Sequence, residues 1–325
     1  MNKSYAGIDF FRLIAAVLVI TIHTSPLASF TQTGDFMLTR ILARVAVPFF
    51  FMTSGFFLIS RYSRNNDKLK KFIKKTAVIY IISILIYIPV NIYNGYFELD
   101  NFIPRFLQDL LFDGTMYHLW YLPASALGAW IAWHLVKRLD YPKAMIAAAV
   151  LYLIGLLGDS YYGIAEKIPA LNAFYQLVSQ ISDYTRNGIF FAPIFFILGG
   201  LIADTGPRPF KKSACGFCIS LACMTAEGLI LHKFALQRHD SMYVFLLPCM
   251  YWLFGMILHF QGKRFKRIRT LSLCIYIIHP MMIIAVRLIA KVFRLQNLLI
   301  ENSLLHFSAV CLLSAVFGIA ATALL

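Results

Sequence analysis

Two ionisable side chains in the first apolar segment of the chain are the leading candidates for chemistry. The segment reads DFFRLIAAVLVITIHTSP and carries Arg12 and His23. Eleven helical residues turn through about 1100°, so the two side chains share one face to within about 20°, with His23 about 16 Å deeper. Asp9 lies three residues before Arg12 and can pair with it. An ionisable residue inside an apolar segment usually faces a cavity or a partner, so His23 is expected to meet a ligand, with a structural hydrogen bond as the alternative.

Two further ionisable residues interrupt later apolar segments. In LSLCIYIIHP, spacings of four and three residues place Ser272, Tyr276 and His279 on one helical face, which makes His279 a second candidate. Glu227 lies within CMTAEGLIL. A buried carboxylate needs a partner, and one of the arginines toward that end of the helix is expected to supply it. A purely structural ion pair is the alternative for Glu227, as a structural role is for His279.

Aromatic and polar side chains cluster at the start of two other segments. YHLWYLPA contains His118, Trp120 and Tyr121, and RNGIFFAP contains Arg186 and Asn187. If the fold brings these segments together, they would offer a cation, an amide and aromatic faces to a substrate. Aromatic residues also anchor helices at the membrane surface, which is the alternative for Trp120 and Tyr121.

The composition places most of this chain in lipid. Its 325 residues are 60% hydrophobic and only 14% charged, whereas about a quarter of the residues in a soluble domain are charged. The formal net charge is +15, but the basic residues lie in short segments between apolar runs, which indicates membrane topology and not nucleic-acid binding. Cys215 and Cys218 have the spacing of a metal site without a second such pair, so no metal is expected.

Ten apolar runs are long enough to cross, or nearly cross, a hydrocarbon core of about 30 Å. The predicted fold class is therefore all-α, a polytopic membrane protein of about ten transmembrane helices. The fifth and sixth runs are short enough to be tilted or broken. The runs begin near Phe10, Ala43, Thr76, Leu119, Ala144, Gly188, Ala214, Met242, Leu271 and Leu304.

Basic residues fix the predicted orientation of the chain. If the N-terminus is cytosolic, nineteen of them lie in cytosolic segments and ten on the opposite side. By the positive-inside rule, both termini are then expected in the cytosol of a bacterial cell, with the helices in the plasma (inner) membrane. The basic run from Arg61 to Lys75 is expected to set topology, with binding of phosphates by residues such as Lys74 and Lys75 as the alternative.

Four motifs in order resemble the acyltransferase 3 family of membrane proteins along nearly the whole chain. They are Arg12 with His23, then PFFFMTSGFFLI, HLWYL and IYIIHP. The segments GIDFFRLIAA, IHTSPL, RNGIFFAPIFF and RHDSMY further resemble the membrane domain of VanT-type membrane-bound serine/alanine racemases. In that subgroup, a cytosolic racemase domain follows the last helix. Residues 1–325 are thus expected to form one acyltransferase 3-like transmembrane domain, cut before such a racemase domain at Leu325.

The resemblance implies a reaction and its participants. A cytosolic acyl-CoA would serve as co-substrate, a hydroxyl acceptor would receive the acyl group, and no cofactor would be bound covalently. His23 occupies the position of the catalytic histidine, and Arg12 would orient the donor phosphates or the developing charge. The chain departs from the family at the third helix, where Lys74 and Lys75 replace an arginine pair. Lysine binds phosphate as a point charge and lacks the bidentate contacts of arginine.

Two other functions stay open. The VanT-type resemblance implies a module that binds or imports L-serine in the context of vancomycin resistance, without acyl transfer. A structural or sensory membrane anchor is the third class, for which replacing His23 or Arg12 by Ala would change stability alone.

Overall fold

The computed structural model describes residues 5–61, 65–263 and 265–324. Lys3, Arg64 and Arg264, which contribute to the predicted topology, lie outside these ranges, as does Leu325. Within the described residues the chain is helical and contains no β-strand, which confirms the all-α class. Its α-helices are α1 (Ala6–Thr24), α2 (Gln32–Phe36), α3 (Ala46–Leu58), α4 (Asn66–Tyr93), α5 (Phe102–Gln108), α6 (Tyr121–Arg138), α7 (Tyr141–Leu157), α8 (Tyr162–Ala165), α9 (Pro169–Ser179), α10 (Ala192–Thr205), α11 (Phe210–Lys233), α12 (Leu246–Ile257), α13 (Lys266–Val292) and α14 (Ser303–Leu324).

Each of the ten predicted apolar runs contains one of these helices, from α1 to α14. Among the described residues, six helical stretches are long and apolar enough to cross a membrane: Ala6–Thr24, Gln32–Leu58, Asn66–Tyr93, Phe210–Lys233, Lys266–Val292 and Ser303–Ala323. The apolar helices α7, α10 and α12 are shorter, with 17, 14 and 12 residues. At 1.5 Å per residue they measure about 18 to 26 Å.

The chain divides into two compact units, each built from segments distant in sequence. Unit 1 consists of Met1–Phe50, Pro207–Leu229 and Phe245–Leu325, and unit 2 of Phe51–Gly206 and Ile230–Val244. The pairings that hold each unit together are therefore long-range.

The core of unit 1 forms where α1, α13 and α14 pack together. Apolar residues recur on one face of each helix at spacings of three and four, the period of an α-helix. At the N-terminal end of α1, the buried Asp9 carboxylate pairs with Arg269 of α13 at 2.9 Å. Asp9 therefore has its ion pair on another helix and not with Arg12, because packing brings Arg269 to it. The shared apolar core consists of Ala16, Ile20, Ile275, Met282, Ile283, Val286 and Val310.

In unit 2, two glycines allow the backbones of α3 and α10 to touch. A Cβ added at Gly55 would overlap the carbonyl oxygen of Phe196, and one at Gly199 would overlap that of Met52. Small residues at such positions are typical of helix pairs in membranes. Gly55 and Gly199 thus serve the close packing of these two helices.

We expect Gly199→Ala to lower the thermal stability of the protein in detergent. The added methyl group meets backbone atoms, which cannot swing away, and overpacking costs about 1–3 kcal/mol, more than the roughly 1 kcal/mol gained from helix propensity. Gly255→Ala in α12 is the matched control, because its Cβ would lie 3.4 Å from the Ser213 hydroxyl, an ordinary contact. Equal melting temperatures for the two variants would contradict the close approach at Gly199.

Candidate functional site

The two histidines predicted as candidates lie together in unit 1. The ring centroids of His23 on α1 and His279 on α13 are 5.4 Å apart, and the ring planes differ by 26°. His279 is fully buried, whereas His23 is partly exposed. Stacked aromatic pairs contribute about 0.5–1.5 kcal/mol beyond the area they bury. The pair therefore presents one accessible imidazole supported by an inaccessible one.

The face of α13 that carries His279 is buried as predicted. Ser272 and Tyr276 are 3% and 6% exposed, and the Tyr276 ring centroid lies 6.4 Å from that of His279. The spacing argument thus identified the interior face of this helix correctly. Whether Tyr276 and His279 contact a substrate stays a prediction.

Asp9 and Arg12 lie on the first two turns of α1 and have different surroundings. Asp9 is buried and also accepts a hydrogen bond from the backbone N–H of Phe265 at 3.0 Å. Arg12 is partly exposed on the same helix as His23. This end of α1 therefore carries the Asp9 ion pair and, three residues further on, the guanidinium of Arg12.

Glu227 of α11 is buried in unit 1 and has a backbone partner. The N–H of Phe245, just before α12, donates to its carboxylate at 2.9 Å. This N–H is at the N-terminus of α12, where the helix dipole favours a negative charge. The expected arginine partner of Glu227 stays a prediction.

In unit 2 the structure brings the two predicted aromatic and polar segments together. The guanidinium of Arg186 lies over the ring of Trp120 at 5.1 Å and over the ring of Tyr184 at 4.2 Å. It also donates to the hydroxyl of Ser241 at 3.1 Å. Arginine between two aromatic faces is held rigidly and keeps its charge. Tyr184 and Ser241 were not among the predicted residues.

The remaining aromatic candidates of unit 2 are His118 and Tyr121, which lie close to Trp120 in the sequence. The Tyr121 ring lies 5.0 Å from the Phe51 ring. His118 is 2% exposed and meets Tyr87 edge-on at 5.0 Å. These contacts are those of packed core residues, and a role for His118 and Tyr121 in substrate binding stays a prediction.

Asn187 organises the turn before α10. Its side-chain oxygen accepts the N–H groups of Ile189 and Phe190 at 2.9 and 3.1 Å, and its amide donates to the Tyr184 carbonyl at 3.0 Å. These bonds explain why α10 begins at Ala192 and not near Gly188, as the apolar run had suggested. The observed partners of Asn187 are structural.

Sequence reasoning missed a carboxylate network in unit 2. Asp113 accepts the N–H of Asp183 at 2.8 Å, and Arg105 pairs with both Asp183 at 2.8 Å and Asp109 at 3.2 Å. Burial raises the pKa of Asp109 and of Asp113. Tyr96 donates to Asp109 at 2.7 Å. The acidic residues that follow α4 in the sequence were a sign of this network, but their spacing could not identify Asp183 as part of it.

His239 lies beside the Arg186 stack. Its ring centroid is 4.3 Å from that of Tyr184. Burial, together with the positive charges of Arg186 and Arg238, lowers the pKa of His239 to about 4. At neutral pH this imidazole is uncharged.

The two lysines proposed to bind donor phosphates are exposed at the start of α4. Lys74 and Lys75 follow three further exposed lysines of the same helix, Lys68, Lys70 and Lys71. Such a cluster suits an anionic surface or a phosphate group. Within the described ranges, no group of three His, Cys, Asp or Glu side chains could hold a metal ion.

The sequence profile of the acyltransferase 3 family, described as an acyltransferase domain, matches residues 5–323. The chain belongs to the acyltransferase 3 family. This confirms the resemblance found in the motifs, and the profile runs through the segments of both units.

Three curated relatives of this family member are racemases by name. An amino-acid racemase of Enterococcus faecalis is 56% identical over 326 residues, covering 100% of this chain. A second from the same species is 39% identical over 98% of the chain, and a serine/alanine racemase of Enterococcus gallinarum is 36% identical over 96%. The chain spans 45–46% of the length of these relatives. No solved structure matches it.

We expect Asp109→Asn to flatten the dependence of stability on pH. The folded-state pKa of Asp109 is raised above 3.8, so its contribution to stability is complete below that pH and is lost as pH rises through the folded pKa. Thermal unfolding in detergent, measured from pH 4 upward, should therefore show wild type losing more stability than the variant. Asp140→Asn, an exposed helix cap, is the control and should follow wild type.

Proposed function

We propose that the chain crosses a bacterial inner membrane ten times with both termini in the cytosol. The ten helices in the predicted apolar runs support this count, as does the excess of basic residues in the segments assigned to the cytosol. Contacts within unit 1 agree with it. Asp9 meets Arg269 and His23 meets His279, so α1 and α13 run in the same direction, as the first and ninth spans must. Ser29, after α1, bonds Ser303, which begins α14, so α14 runs in the opposite direction.

Within this membrane domain, we propose transfer of an acyl group from cytosolic acyl-CoA to a hydroxyl acceptor. The observation that carries the proposal is the partly exposed His23, held against a buried imidazole in a chain of the acyltransferase 3 family. An imidazole is the side chain best suited to exchange protons at neutral pH.

The chemistry requires one proton to move twice. His23 takes the proton of the acceptor hydroxyl as its oxygen attacks the thioester carbonyl carbon. The tetrahedral intermediate then collapses, the carbon–sulfur bond breaks, and the imidazolium returns the proton to the leaving thiolate. The products are an ester and free coenzyme A, with no oxidant or reductant consumed.

Positive charge is available for the phosphates of the donor. Arg12 lies on α1 toward the end proposed as cytosolic, and Lys74 and Lys75 are exposed at the start of α4. Ammonium groups attract phosphate without fixing its orientation, so donor affinity should depend on the charge at these positions more than on the geometry of the side chain.

The direct test is binding of coenzyme A to the purified protein in nanodiscs, followed by thioester cleavage. Lys74→Ala should weaken binding several-fold and Lys74→Arg should not, because the charge is preserved. The control Lys233→Ala removes an equally exposed lysine from the C-terminal end of α11 and should bind as wild type. His23→Ala should retain binding and lose cleavage. Absence of coenzyme A binding in wild type would refute the acyl-transfer function.

A second candidate function is handling of an amino acid, with L-serine as the substrate. Relatives named amino-acid and serine/alanine racemases favour it. The stacked guanidinium of Arg186 supports it physically, because planar guanidinium groups recognise carboxylates. In this function the chain would bind or import serine for a racemase domain, without covalent chemistry.

Uptake of labelled L-serine into proteoliposomes tests this second function. We expect saturable uptake by wild type that falls at least tenfold in Arg186→Lys, since an ammonium group cannot replace a stacked planar fork. Arg238→Lys is the control, because Arg238 also stacks on a tyrosine ring but is exposed. Uptake unaffected by either substitution would argue against a carboxylate contact at Arg186. Stability changes alone in His23→Ala and Arg12→Ala would favour the membrane anchor.

A further inference from the structure

A proline inside α13 leaves a backbone carbonyl without its helical donor. Pro280 has no N–H, so the carbonyl of Tyr276, four residues earlier, cannot receive the usual helix hydrogen bond. The Nδ1 atom of His279 lies 2.8 Å from this carbonyl oxygen and 3.3 Å from that of Ile275. The side chain next to the proline therefore replaces the donor that the proline removes.

This contact determines which nitrogen of His279 carries the proton. A carbonyl oxygen only accepts hydrogen bonds, so Nδ1 must be protonated, and in the neutral ring Nε2 then presents a lone pair. His279 is fully buried, and a flipped ring would take this N–H away from a polar carbonyl in an apolar environment. The imidazole is thus fixed in both its tautomer and its plane.

The ring of His23 stacks against the fixed ring of His279. Their planes are within 26° of each other at a centroid separation of 5.4 Å, and both helices belong to the core of unit 1. His23 is the more exposed of the two rings.

We propose that His279 is a positioning residue that sets the orientation of His23, and that Pro280 creates the carbonyl that holds His279 in place. This inference rests on the proposed role of His23 in acyl transfer. A general base must lie within hydrogen-bond reach of the proton it removes, and a small rotation of the ring is enough to lose that geometry. The dipeptide His279-Pro280 inside an apolar helix therefore serves to hold the ring of His23 in its orientation.

The structural part can be tested without any activity. In protein labelled with nitrogen-15 at histidine, in nanodiscs, wild-type His279 should show the Nδ1-protonated tautomer at neutral pH. In Pro280→Ala a backbone N–H again competes for the Tyr276 carbonyl, so the His279 signals should shift and those of His23 should shift or broaden. Pro89→Ala, which removes a proline from the interior of α4, is the matched control and should leave both rings unchanged.

Kinetic measurements on two variants of His279 distinguish a role in positioning His23 from a role in stability alone. His279→Ala should lower kcat about tenfold, the upper range expected for a stacked pair, with the KM for acyl-CoA within twofold of wild type. His279→Asn retains an N–H that can reach the Tyr276 carbonyl and a planar group against His23, so it should lie within about threefold of wild type. Both variants are compared only after eluting as folded protein.

The outcomes distinguish this inference from the function on which it rests. Wild-type kcat and unchanged His23 signals in His279→Ala would overturn the positioning role. No acyl transfer by wild type, together with His23 signals that respond to both Pro280→Ala and His279→Ala, would refute the proposed function and leave the coupling of the two rings supported. Equal losses in His279→Ala and His279→Asn would show that the restored N–H has no effect and would overturn the role of the carbonyl.

Discussion

Buried carboxylates that accept backbone N–H groups hold the connections between helices in this chain, and the placement of the functional residues depends on them. An ionised carboxylate is costly to bury unless hydrogen bonds replace the water it loses, and each bond to a charged group contributes about 1.5–3 kcal/mol. Backbone N–H groups outside the helices have the complementary need. The pairs are Asp9 with Phe265, Asp35 with Leu27, Asp113 with Asp183, Asp159 with Ser241 and Met242, and Glu227 with Phe245.

These anchors set the geometry around both groups of candidate residues. In unit 1, the bond from Phe265 to Asp9 fixes the start of α13 against α1, and the same two helices bring His279 to His23 further along. In unit 2, Asp159 accepts the N–H of Ser241, whose hydroxyl in turn receives the hydrogen bond of Arg186. By holding the connections between helices in place, the buried carboxylates define the positions of His279 in unit 1 and Arg186 in unit 2.

Sequence reasoning succeeded where local periodicity or composition decides the outcome. The apolar runs located the helices, and spacing identified the buried face of α13. It failed where a partner is chosen by the tertiary fold. Asp9 pairs with Arg269, 260 residues away, and not with its helical neighbour Arg12. The backbone N–H that Glu227 accepts could not be predicted from any pattern of side chains. Asp183 completes a network whose other acids, Asp109 and Asp113, lie 74 and 70 residues earlier.

The short helices have a consequence for the surrounding lipid. At 12 residues, α12 measures about 18 Å, against a hydrocarbon core of about 30 Å. In the proposed ten-span topology, a crossing by α12 creates a hydrophobic mismatch, which a bilayer relieves by thinning locally at a cost of fractions of a kcal/mol per Å. Headgroups and water then reach deeper beside α12 than they do in the unperturbed bilayer. A polar molecule that enters beside α12 has a shorter apolar barrier ahead of it than the membrane as a whole presents.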